Sequence, residues 1–193
     1  KITMPQDKNA ALFPRKINGR WLLIHRQITV DIPGSHTGAH IWLSRCDSGD
    51  LINWTNSRPL IKARQGSWWD ANKIGMSIPP IETDEGWLLF YHGVRVTASG
   101  SLYRIGAALL DLENPMNVLY RSNEWLFSPK APYELTGEIN NVVFPCGAVI
   151  DDDDNIKMYY GAADTSICVA TGNLKKIVKW LKKTGSKISN EYE

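Results

Sequence analysis

The sequence predicts an all-β chain of the propeller or solenoid type, about three blades long, closed by a short C-terminal helix. Three observations predict it. First, Phe13-Pro14, Pro79-Pro80 and Phe144-Pro145 stand near the starts of three similar units, with 65 residues from Pro14 to Pro79 and 66 from Pro79 to Pro145. Second, each unit has an apolar strand after a Gly- or Asp-centred turn, a loop, and a second apolar strand. Third, each unit closes on the same kind of signal: Asp50-Leu51, Asp111-Leu112 and Asn173-Leu174. Propellers close with about four to eight blades, so three units leave open sheet edges.

Unit one runs from Asn9 to Pro59, with strands at Trp21-Leu22-Leu23-Ile24-His25-Arg26 and Ile41-Trp42-Leu43-Ser44. Unit two runs from Lys62 to Leu126, with strands at Gly86-Trp87-Leu88-Leu89-Phe90-Tyr91-His92-Gly93 and Ile105-Gly106-Ala107-Ala108-Leu109-Leu110. Unit three runs from Pro132 to Leu174, with strands at Asn155-Ile156-Lys157-Met158-Tyr159-Tyr160-Gly161 and Ile167-Cys168-Val169-Ala170. The runs from Trp21 and Trp87 are apolar on both faces, which suits inner strands sandwiched between neighbouring blades. Asp151 to Asn155 sits where a hairpin turn belongs; the spacing and closing Glu of an EF-hand are absent, so it reads as a solvated turn. After Asn173, the residues Leu174, Ile177, Val178 and Leu181 share one helical face, and Gly185 supplies a stop. Residues 1–184 therefore read as a partial β-propeller carrying a docked terminal helix, and 185–193 as a polar tail expected to be disordered.

Composition narrows the partners. A net charge of +2, with scattered basic residues, does not point to nucleic acid, and no stretch reads as a transmembrane run or signal peptide. Cys46, Cys146 and Cys168 are odd in number and lack metal-ligand spacing, so neither a disulfide framework nor a zinc site is expected. Eight Trp and seven Tyr suit strands, and they also suit clefts where a flat ring covers a pyranose.

Arg26, His92 and Tyr160 fall at the same place in the three first-strand patterns, so inner strands around one channel would bring them together. Lys73 and Tyr103-Arg104 stand at the starts of other strands. Arg26, Lys73 and Tyr103 combine a planar fork, a point charge and a neutral donor, as an anion pocket requires. Blander readings stand beside these. His92 fits a satisfied core histidine, Asp164 a turn former, and Cys146 a buried small apolar residue. Trp68-Trp69 suits either sugar stacking or packing under a loop. His36 and His40 flank Gly38 in a loop, where acceptor contact or solvation outweighs metal binding.

Eight motifs, in order from Lys8 to about Leu181, resemble glycoside hydrolase family 130, the β-mannoside phosphorylases and related β-mannosidases. They are Asn9 to Pro14, Leu23 to Arg26, Ile41 to Ser44, Trp69 to Gly75, Gly86 to Val94, Tyr103 to Leu112, Asn141 to Gly147 and Tyr159 to Thr165. The resemblance implies a five-bladed β-propeller, with the match covering its C-terminal three blades. It implies inverting phosphorolysis of β-mannosides to α-mannose 1-phosphate. Phosphate is then a substrate, no cofactor is needed, and a cytoplasmic location is expected. By resemblance Arg26, Lys73 and Tyr103 bind phosphate, His92 lines the same pocket, and Asp164 and Asn9 contact the mannosyl unit. The family's general acid is an Asp of its N-terminal part, and no residue here matches it. The rival readings are a β-mannosidase that uses water, and a non-catalytic fragment that binds sugar or assembles with a second copy or a completing chain through its open edges. Acceptor choice is expected to lie in the loops Thr29 to His40 and Thr97 to Ser101.

Overall fold

The structure, a computed structural model, describes residues 3, 7–27 and 39–188. Three antiparallel sheets follow one another along the chain, each built from one continuous stretch of it. The first holds β1 (Lys8–Leu12), β2 (Trp21–Gln27), β3 (His40–Cys46) and β4 (Thr55–Ile61) in that order. The second holds β5 (Lys73–Met76), β7 (Gly86–Thr97), β8 (Gly100–Leu110) and β9 (Val118–Arg121), with β6 (Ile81–Thr83) also paired to β7. The third holds β10 (Val143–Ile150), β11 (Asn155–Ala162) and β12 (Ser166–Asn173). One turn of helix, α1 (Pro132–Leu135), precedes β10, and α2 (Leu174–Thr184) follows β12.

The three units are therefore three sheets, each with a leading strand ahead of the first apolar strand read from the sequence. β2, β7 and β11 are the second strand of each sheet, and the leading edges are β1, β5 and β10. β7 is apolar on both faces because two cores flank it. Trp87, Leu89 and Tyr91 join the core shared with the first sheet, whereas Leu88 and Phe90 join the core shared with the third. β11 buries only Ile156, Met158, Tyr160 and Ala162; Lys157 and Tyr159 alternate with them on an exposed face. Ile167 (88% exposed) and Val169 of β12 lie on the same open face.

A buried ionic network ties the second sheet to the segment leading into β5. Arg121 Nη2 donates to Asp70 Oδ2 at 2.6 Å, and the Tyr91 hydroxyl donates to the same oxygen at 3.0 Å. Arg121 also donates to the Tyr91 hydroxyl at 3.1 Å and the Lys62 carbonyl at 2.8 Å, while Arg64 stands 3.6 Å from Asp70 Oδ1. Trp69 stacks on Tyr91 with ring centroids 5.5 Å apart and lies flat across Gly93 and Gly106. A Cβ on either glycine would meet the Trp69 ring at 2.5 Å, so only glycine admits this approach.

α2 starts at Asn173, whose side chain accepts from the Lys176 backbone N–H at 3.3 Å. It buries Leu174, Val178 and Leu181, and Lys182 and Lys175 pair with Glu85 and Asp154. Asp151 caps the acidic turn by accepting from the backbone of Asp153 and Asn155 at 3.0 and 2.9 Å. The tail expected to be disordered begins docked: the Ser186 backbone exchanges hydrogen bonds with Arg121 at 2.9 and 3.0 Å, and Ile188 packs on the first core. Residues 189–193 of that tail lie outside the described residues.

Arg121→Met removes the main partner of a fully buried carboxylate. We expect a loss of about 3–5 kcal/mol in unfolding free energy, read from urea denaturation of wild-type and variant chains.

Candidate anion and sugar site

Five of the six site residues singled out in the sequence meet between the first two sheets, on β1, β2, β5, β7 and β8. Arg26, near the end of β2, is 8% exposed, and its Nη1 lies 3.3 Å from His92 Nε2 of β7. β5 pairs with β7 so that Gly75 lies opposite His92. A Cβ on Gly75 would meet the His92 ring at 2.6 Å and Asn9 Oδ1 at 3.0 Å, so Gly75 brings Asn9 and His92 together by having no side chain. Asn9 reaches this place from a register shift between Lys8 and Ala11 and holds φ at 55°. A bulge of this kind re-aims a side chain. Lys73 opens β5, its Nζ 5.5 Å from the Tyr103 ring centroid; Tyr103 in turn lies 6.0 Å from the His92 ring.

Asp164 stands apart. It sits exposed in the β11–β12 turn at φ 56°, after Ala163 at φ 46°, and makes no hydrogen bond or ion pair with the other five among the described residues. The two places are joined by backbone. Ala163 N–H donates to the Val142 carbonyl at 2.9 Å, and Tyr103 N–H donates to the Asn141 carbonyl at 3.1 Å.

Other readings resolve differently from expectation. Tyr160 does not approach Arg26 and His92. Its side chain faces the core of the third sheet and donates to Glu134 Oε1 at 2.6 Å, while Glu134 Oε2 accepts from the Lys130 and Ala131 backbone. Cys146 is exposed rather than buried, because it occupies a bulge between Pro145 and Gly147. His40 is not a solvated loop residue: it opens β3 fully buried, and its Nδ1 accepts from Ala63 N–H at 2.9 Å. Burial first, then Lys62 and Arg121, push its pKa down to about 4. His36 and most of the loop from Thr29 to His40 lie outside the described residues. Trp69 is a core residue, and Trp68 is half-exposed with the Arg64 guanidinium 4.2 Å above its ring. Phe144 and Gly75 are the site residues that residue chemistry alone did not single out. Phe144 lies 4.9 Å from the His92 ring, and its recurrence as a Phe-Pro unit marker was the available signal.

Residues 1–183 match the model of a protein family, glycoside hydrolase family 130, described as β-1,4-mannooligosaccharide phosphorylase. The chain belongs to glycoside hydrolase family 130. The β-1,4-mannooligosaccharide phosphorylase of Ruminococcus albus is 37% identical over 185 residues, which are 95% of this chain and 53% of that protein. The 1,2-β-oligomannan phosphorylase of a Thermoanaerobacter species is 40% identical over 171 residues, 89% of this chain and 52% of that protein. The solved complex of β-1,2-mannobiose phosphorylase from Listeria innocua with β-1,2-mannobiose superposes with a TM-score of 0.83 at 37% identity, covering 94% of this chain and 48% of that one. The chain spans about half the length of the curated relatives it matches. Its three sheets are blades of the family's five-bladed propeller. Among the described residues, no group of three or more His, Cys, Asp and Glu could hold a metal ion, and no helix is long and apolar enough to cross a membrane.

The cluster around Arg26 and His92 is cationic and partly dry. Burial pushes the His92 pKa down to about 3; the charges of Arg26 and Lys73 add to this, and the Met76 backbone acts in the opposite direction. Burial also lowers the Arg26 pKa from its ordinary value, which Tyr103 partly counters. Arg26 Nε, Asn9 Oδ1 and His92 Nδ1 are buried and make no hydrogen bond among the described residues. Buried polar atoms of this kind cost free energy unless something pairs with them.

Gly75→Ala drives a methyl group into the His92 ring. The His92 imidazole resonances are expected to shift, with a stability loss of about 1–3 kcal/mol, checked by NMR and urea denaturation.

Proposed function

We propose that this chain carries the phosphate- and mannosyl-binding part of a β-mannoside phosphorylase site. The observation that carries the reading is the convergence of Arg26 and Lys73 with Tyr103, His92 and Asn9, with the buried Arg26 Nε unpaired among the described residues. Arg26, Lys73 and Tyr103 would hold inorganic phosphate with His92 beside them, and Asn9 and Asp164 would contact the mannosyl unit. The names of the relatives support mannosides as the substrate class.

The chemistry follows from the charges. Phosphate is a weak nucleophile that is costly to desolvate, and fixed cations offset that cost while aligning it with the anomeric carbon. A phosphate oxygen bonds to that carbon from the face opposite the glycosidic bond, the bond to the leaving oxygen breaks, and the configuration inverts to α-mannose 1-phosphate. The leaving oxygen takes a proton from an acid. In the family this is an Asp for which no residue of this chain is a match, so the role proposed here is binding and alignment. Hydrolysis would instead need a carboxylate base with room for water. Among the described residues, Tyr103 acts on Arg26, and Arg26 and Lys73 act on His92, with no carboxylate among them. A sugar phosphate that crosses membranes poorly suits a cytoplasmic enzyme. The open face of the third sheet suits a second copy or a completing chain.

Titration calorimetry with inorganic phosphate tests this reading. Saturable binding is expected, with Lys73→Ala weakening it about tenfold or more. No binding by the wild-type chain, or equal binding by Lys73→Ala, would overturn it. Phosphate-independent release of free mannose would favour the hydrolase instead.

A further inference from the structure

We propose that Thr165 is a positioning residue: its hydroxyl clasps the Asp164 turn to the loop of residues 137–142, and this loop sets where the Asp164 carboxylate stands relative to Tyr103. The inference rests on the phosphate and mannosyl reading of the site. Asp164 is exposed on a two-residue turn, closed by the Thr165 N–H donating to the Ala162 carbonyl at 3.0 Å. Both central residues, Ala163 and Asp164, hold positive φ. Such a turn favours Asn-Gly, and alanine enters this region only at a steric cost. The local sequence therefore does not account for the turn, and contacts from outside must hold it.

The loop supplies those contacts. The Thr165 hydroxyl donates to the Ala163 carbonyl at 2.9 Å and accepts from the Glu138 N–H at 3.0 Å. The same carbonyl accepts from the Ile139 N–H at 3.1 Å, and the Ala163 N–H donates to the Val142 carbonyl at 2.9 Å. A Cβ on Gly137 would meet the Ala163 oxygen at 2.4 Å and Thr165 Oγ1 at 2.5 Å, so loop and turn touch without a gap. The loop also reaches the anion cluster. Asn141, at φ 61°, accepts through its carbonyl from the Tyr103 N–H at 3.1 Å. The neighbouring carbonyls of Asn141 and Val142 therefore hold Tyr103 on one side and the Asp164 turn on the other. The loop is pinned in turn to the buried Glu134. The Glu134 carbonyl accepts from the Val142 N–H at 3.2 Å, while its carboxylate takes the Tyr160 hydroxyl and the N–H groups of Lys130 and Ala131. The Thr165 hydroxyl bonds both turn and loop, and it can be removed without deleting a backbone bond. A carboxylate that binds sugar hydroxyls gains from being held in one orientation, because ordering it during binding would cost affinity.

The test combines two variants with two probes. Thr165→Val keeps the shape of the side chain but has no hydroxyl; Thr165→Ser keeps the hydroxyl. Titration calorimetry is run with inorganic phosphate and with α-mannose 1-phosphate, and the wild type is expected to bind the sugar phosphate more tightly. Thr165→Val is expected to weaken α-mannose 1-phosphate by about five- to tenfold while leaving phosphate unchanged, and Thr165→Ser to bind both as wild type does. A merely structural role would lower both affinities together. The role is overturned if Thr165→Val binds α-mannose 1-phosphate as tightly as wild type, if it loses phosphate to the same extent, or if Thr165→Ser falls as far as Thr165→Val. A wild type that binds phosphate but does not distinguish the two probes overturns the mannosyl reading, and this role with it. A wild type that binds neither overturns the pocket reading as a whole.

Discussion

The fully buried carboxylate of Asp70 is the point on which the second sheet and the site both depend. One oxygen receives Arg121 and Tyr91 together, from β9 and β7, while Asp70 itself belongs to the segment that leads into β5. Three stretches distant in sequence therefore share one charge in a dry interior, where an unpaired member would be costly. The same segment places Trp69 over Gly93 and Gly106. It then hands the chain to Asn72, whose N–H donates to the Val94 carbonyl at 3.1 Å and whose side chain accepts from Val96 N–H at 2.8 Å. Lys73 follows at once, so its position is set by a network that it does not join.

The site is built from sheet edges and irregularities. Asn9 comes from a bulge in β1, Lys73 and Gly75 from the short leading strand β5, and Tyr103 lies in the part of β8 paired with the far end of β7. Regular inner strands supply Arg26 and His92 and the rigidity behind them. This division follows from packing. Two-sided apolar strands such as β7 hold their backbone in place through cores on both sides, and the polar chemistry is left to the ends and edges where charges are less costly to place.

Much of this is legible in the residues. The three apolar pairs at constant spacing give three sheets, and the amphipathic run after Asn173, with Gly185 behind it, gives α2 close to its observed limits. Arg26, Lys73 and Tyr103 can be grouped by donor type before any coordinates are seen. The leading strands were harder to read, since β1 and β5 are four or five residues long and carry Asn, Lys and Gly beside their apolar positions. The side to which a residue points was harder still. Tyr160 occupies the same place in its strand pattern as Arg26 and His92, yet it turns to Glu134, because β11 has one buried face and that face belongs to the core shared by the second and third sheets.

By itself, the sequence determined the strand content, the threefold period, the terminal helix and the donor types available for an anion, because period, capping and side-chain chemistry are local properties. The tertiary structure alone decided that Gly75 lets Asn9 and His92 meet, that His40 is buried while Cys146 is exposed, and that Asp164 stands away from the cation cluster. Each of these depends on bulges, on sheet register, and on which of two faces a core covers, and these are fixed only when distant segments pack together.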